Sequence, residues 1–84
     1  MYRVDTDALA EPQVAALPSH ALAPYAELRT LLEVDPWSGD AINSRNPDAA
    51  VRTRTFGPHH EGFVAFLILE EQRRVDILKV MWLE

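Results

Sequence analysis

The chain has 84 residues, 48% of them hydrophobic and 25% charged, with three glycines, no cysteine and a formal net charge of −5. So short a chain builds one core, so residues 1–84 read as a single folded domain. The composition excludes a disulfide framework and thiolate zinc sites, and no apolar run nears the ~18 residues of a bilayer span. An acidic balance also argues against non-specific nucleic-acid binding.

Met1-Tyr2-Arg3-Val4-Asp5 lacks the apolar stretch of a signal peptide, and with no cysteine the expected compartment is the reducing cytoplasm. Tyr2-Arg3-Val4 alternates as a short strand, after which Asp5-Thr6-Asp7 offers helix-capping side chains. A first helix is predicted from Asp7 to Leu17, carried by Leu9, Val14 and Leu17, with Pro12 admissible only near its first turn. Pro18-Ser19 stops it. A second helix, Ala21 to Val34, spaces Leu22, Tyr25, Leu28, Leu31 and Leu32 three and four apart, which makes one apolar stripe. Asp35-Pro36-Trp37-Ser38-Gly39-Asp40 ends it, with Trp37 as a lid over the core, and a loop continues through Asn43, Asn46, Pro47 and Asp48.

The period then changes to two. Val51-Arg52-Thr53-Arg54-Thr55-Phe56 puts arginines on one parity and β-branched residues on the other, a strand with a basic face. Gly57 to Gly62 is a turn, Phe63 to Leu69 an apolar strand expected to be buried on both faces, Glu70 to Arg73 a second turn, and Arg74 to Leu83 a third strand. The predicted fold is α+β: a short N-terminal strand at a sheet edge, a two-helix hairpin on one face, and a three-stranded antiparallel meander. Charge divides unevenly along it. Up to Ser44 two basic residues face seven acids, whereas from Arg45 onward six face six. The net negative charge therefore belongs to the helical half, and the first meander strand is locally basic.

Four local signals go together. Leu31-Leu32-Glu33-Val34-Asp35-Pro36-Trp37-Ser38-Gly39 couples a leucine-rich helix end to Asp-Pro and a glycine. Asn46-Pro47-Asp48 precedes the strand bearing Arg52 and Arg54. Gly62-Phe63-Val64-Ala65-Phe66-Leu67 runs glycine, aromatic, strand, aromatic, and Arg74-Val75-Asp76-Ile77-Leu78-Lys79-Val80 is the final strand. In this order, over essentially the whole chain, the pattern resembles the RelE/ParE superfamily of bacterial type II toxins.

That resemblance implies a toxin neutralised by a cognate antitoxin protein. RelE-like members cut messenger RNA on the ribosome and need no metal or cofactor. Basic side chains there orient the phosphate, activate the 2′-hydroxyl and stabilise the charge that develops. ParE-like members instead poison DNA gyrase. Arg52 and Arg54 match the family's spaced basic pair, while Val64 and Leu83 stand where RelE-like enzymes carry basic residues. The sequence given reaches Glu84 without the tyrosine or histidine tail of many active relatives. The leading expectation is a metal-independent endoribonuclease acting on translation. The alternative is a non-enzymatic gyrase inhibitor, or a degenerate toxin that keeps only antitoxin binding.

The residues add their own chemistry. Arg52 and Arg54, two apart, share a strand face and can hold one phosphate run. With an ordinary pKa above 12, arginine is a poor base at neutral pH, so proton transfer falls to His59 or His60 in the adjoining turn. Arg45, Lys79 and Trp82 are candidate contacts for RNA or a protein partner, Trp82 because a terminal strand offers a docking edge. Adjacent histidines with no third ligand make a poor metal site.

Overall fold

The computed structural model of the chain describes residues 1–41 and 50–83. Its elements are β1 (Arg3–Thr6), α1 (Glu11–Ala15), α2 (Leu22–Val34), β2 (Asp40–Ala41), β3 (Val51–Phe56), β4 (Gly62–Leu69) and β5 (Arg74–Trp82). Single 3-10 turns at Ser19–Ala21 and Pro36–Ser38 bracket α2. The five strands form one sheet in the order β1-β5-β4-β3-β2, with β1 parallel to β5 and the other pairings antiparallel. The expected meander and edge strand are present, and β2 extends the sheet at its other side. Among the described residues no helix is long and apolar enough to cross a membrane.

The first helix is much shorter than the predicted Asp7–Leu17. Pro12 cannot donate a hydrogen bond, so α1 begins just before it, and the preceding chain is a turn closed by Leu9 N donating to Asp7 Oδ2 at 3.1 Å. α2 buries Tyr25, Leu28 and Leu32 along one stripe. Opposite lie Val4, Phe56, Val64, Phe66, Ile68, Val75, Ile77 and Val80 from the sheet, and Tyr2 and Ala10 join the same core. Arg29 ties α2 to the edge strand, its guanidinium donating to Val4 O at 2.8 Å and to Thr6 Oγ1 at 3.1 Å. Such a cap occupies backbone acceptors that an edge strand would otherwise expose.

β4 departs from the expected strand buried on both faces. Gly62, Val64, Phe66 and Ile68 are buried, whereas Phe63, Ala65, Leu67 and Leu69 are half-buried. The helices pack on the first parity only, and among the described residues no helix or strand lies on the second. β5 changes parity through a bulge at Leu78, since Ala65 faces Lys79 but Phe66 faces Ile77. Burial accordingly moves from Val75 and Ile77 to Val80, whose backbone N–H donates to Gln13 Oε1 at 2.7 Å. The bulge turns the end of β5 so that Trp82 again points to the helix side.

Register also assigns the β3 side chains. Arg52 pairs with Phe66 and Arg54 with Val64, so both arginines lie on the helix-covered face of the sheet. Thr53 and Thr55 take the other face. Alternation fixed the arginines as a pair but could not say which face the helices would cover.

Candidate functional site

The turn that follows α2 governs the surroundings of the two arginines. Asp35 leaves helical geometry, Pro36 opens a 3-10 turn, and Ser38 Oγ donates back to Asp35 O at 2.8 Å. At Gly39 a Cβ would lie 2.8 Å from the Phe66 ring and 3.0 Å from Thr53 O, so only glycine lets the chain press this close to the sheet. Arg52 Nη1 donates to Gly39 O at 2.9 Å and to Trp37 O at 3.3 Å. Its guanidinium carbon sits 4.8 Å from the centroid of the Trp37 ring. Trp37 packs against the core, as the lid reading had it, and its Nε1 donates to Glu70 Oε1 at 2.7 Å. Arg54 Nη1 donates to Ser38 Oγ at 2.7 Å.

Beyond that turn the edge of β3 is open among the described residues. β2 pairs with β3 only as far as Thr53, opposite Asp40. Past this point lies a cleft of about 260 Å³ lined by Ser38, Gly39, Asp40, Arg54, Thr55 and His60. His60 holds a positive φ of 59° in the β3–β4 turn, and its Nδ1 is 2.9 Å from Thr55 Oγ1. That contact occupies one ring nitrogen and leaves Nε2 for another partner. A second groove of about 210 Å³, floored by Leu28, Leu31 and Phe56, shares Arg54 and Thr55 with the cleft. The arrangement joins an arginine, a hydroxyl, a histidine and a carboxylate at an open sheet edge. It can hold an anion and move a proton beside it.

The other candidates lie elsewhere. His59 is exposed outside the cleft lining, with its backbone N–H donating to Glu61 Oε1 at 2.7 Å. The backbone N–H groups of Glu61 itself and of His59 hold the Glu61 carboxyl below its ordinary range. Lys79 pairs with Ala65 and so belongs to the face opposite the arginines. Trp82 is half-buried, with ring centroids 5.7 Å from Phe56 and 5.6 Å from His20, as part of the packing at that end of the sheet. Arg45, with the Asn46-Pro47-Asp48 motif, lies outside the described residues. Among the described residues no cluster of three or more His, Asp or Glu side chains could hold a metal ion. Ser38, Asp40 and Thr55 did not stand out in the sequence. Ser38 read as an ordinary turn residue, and its place beside Arg54 depends on a contact across 16 positions.

No protein-family model matches the chain, and no curated protein sequence matches it either. Solved structures do. The isolated RelE toxin of E. coli superposes with a TM-score of 0.80 at 13% identity, covering 100% of this chain and 86% of that one. RelE in the intact E. coli RelBE toxin-antitoxin complex gives 0.79 at 13% identity, over 100% and 99% of the two chains. The archaeal RelE-RelB complex of Pyrococcus horikoshii gives 0.63 at 17% identity, over 96% and 93%. The chain has the RelE fold.

Proposed function

We propose that this protein is the toxin of a type II toxin-antitoxin pair, that it acts in the cytoplasm on translation by cutting messenger RNA, and that a cognate antitoxin neutralises it. The RelE fold over the full described chain, with Arg54 and His60 lining one cleft at its open edge, is the observation that carries this reading. RelE-like chemistry is the attack of a ribose 2′-oxygen on the adjacent phosphorus, which forms a 2′,3′-cyclic phosphate as the bond to the 5′-oxygen breaks and that oxygen takes up a proton from solvent. In this cleft Arg54 binds a non-bridging phosphate oxygen and offsets the charge that grows there. In the tautomer that carries its proton on Nδ1, toward Thr55 Oγ1 at 2.9 Å, His60 presents Nε2 as the acceptor of the 2′-hydroxyl proton. Val64 is fully buried and supplies no charge to the cleft. Most of the remaining stabilisation then comes from the host on which the RNA is presented.

The test is messenger RNA cleavage by purified protein with ribosomes, comparing the native chain with Arg54→Ala and His60→Gln. Cleavage should appear with the native chain and fall at least about a hundredfold in either variant. Intact messenger RNA with the native chain, or cleavage by both variants equal to that of the native chain, would overturn the reading. Growth arrest with inhibited supercoiling and intact messenger RNA would place the target at gyrase instead.

A further inference from the structure

Arg52 and Arg54 are two positions apart on one strand face, yet their surroundings differ. Arg54 lines the cleft and Arg52 does not. Arg52 lies level with β2, opposite Ala41, where its Nη1 serves two carbonyls of the 36–39 turn and its guanidinium plane meets Trp37. The Trp37 ring is itself fixed, because Nε1 donates to a Glu70 carboxylate that also accepts from Tyr2 and Arg73. Gly39 is pressed against Phe66. The turn is thus held at the tryptophan, the glycine and two carbonyls, and the side chain it carries between them is Ser38, which accepts from Arg54.

We infer that Arg52 is a positioning residue that does not touch RNA: it clamps the Trp37–Gly39 turn so that Ser38 holds Arg54 in the cleft. The inference rests on the proposed RNA reading for its consequence and on geometry alone for the clamp. It also explains why arginine suits this position. A planar guanidinium stacks on an indole while its in-plane N–H groups reach two carbonyls, which a lysine ammonium cannot do together. The pair that the sequence presents as one phosphate grip therefore divides into a binding arginine and a supporting one.

Two measurements decide it. In the native chain, inorganic phosphate titrated against the arginine Nε–Hε NMR signals should shift Arg54 and leave Arg52 in place. Equal movement of both signals, or of neither, would overturn the assignment. This arm needs no catalysis, so it stands even if messenger RNA proves not to be cut. In the ribosome assay Arg52→Lys should lower kcat about tenfold or more, with KM for ribosomes little changed. Arg52→Lys combined with Arg54→Ala should be no worse than Arg54→Ala alone, whereas losses that multiply would mean independent contacts with RNA. Circular dichroism establishes that the lysine variant is folded; if it is not, the phosphate titration on the native chain still decides.

Discussion

A basic residue at position 64 would have no path to solvent. Val64 is fully buried between Arg54 on β3 and Val80 on β5, on the face covered by α2. Val64→Arg is therefore expected to destabilise the fold by about 3 kcal/mol or more, since a charge without a partner would enter the core. Urea denaturation reads this directly, and a variant of native stability would show that the site can open to water. Tyr25 presents the opposite case. Its ring fills the core beside Phe56, 5.7 Å between centroids, but its buried hydroxyl has no hydrogen-bond partner among the described residues. Tyr25→Phe keeps the ring and removes the unsatisfied group, so thermal unfolding should occur at an equal or higher temperature. A loss above about 1 kcal/mol would instead reveal a partner for that hydroxyl. Neither expectation could be formed from sequence. Period two marks which residues share a face, and only the position of α2 decides whether that face is wet.

Between elements, Glu70 is the main connection at the end of the sheet where the chain begins. Its carboxylate accepts from Tyr2 at the start of β1, from Trp37 Nε1 in the turn after α2 at 2.7 Å, and from Arg73 Nη1 beside β5 at 2.7 Å. These bonds, that from Tyr2 foremost, hold the carboxyl down from 4.5 to about 2. The same bond to Glu70 raises the Tyr2 phenol above its ordinary value. A depressed carboxyl stabilises the fold in its charged form. The contribution is complete above pH 4.5 and is lost as pH falls toward about 2. Glu70→Gln should therefore unfold at a lower temperature than the native chain at pH 7, and the gap should close across that acid window. A gap that persists unchanged at pH 2 would assign the loss to packing. Local signals foretold much at this scale: α2 from its leucine spacing, both meander turns from their glycines and charged residues, and the edge position of β1. What they missed depends on distant contacts. Glu70 meets Tyr2 across 68 positions and Trp37 across 33, and the bulge at Leu78 matches where Gln13 captures Val80 N. The two-residue β2 is too short to show a period, and α1 shrank because Pro12 outweighed the apolar spacing around it.

For the whole molecule, the net charge of −5 becomes a statement about where positive charge is already spent. Arg3 lies 3.0 Å from Asp5, Arg74 lies 3.0 Å from Asp76, and Arg73 lies 2.7 Å from Glu70. Arg29 is bound to β1 and Arg52 to the Trp37–Gly39 turn. Lys79 is exposed on the opposite face, so the cation that the described residues turn toward the cleft is Arg54. A single phosphate contact releases about one counterion, and single strands lose affinity with a slope of about −0.7 in log K against log salt for each contact. Free single-stranded RNA should consequently bind weakly, with a slope no steeper than about −1 and flattened further by Arg54→Ala. Fluorescence anisotropy of a labelled 2′-O-methyl oligonucleotide across a potassium chloride series measures it. A slope of about −3 or steeper would demand a broad basic surface that this distribution of charge does not provide. On the proposed function, one focused contact leaves selectivity for RNA to the surface that delivers it. Cleavage should then depend on ribosomes, and excess naked RNA should compete poorly for the cleft.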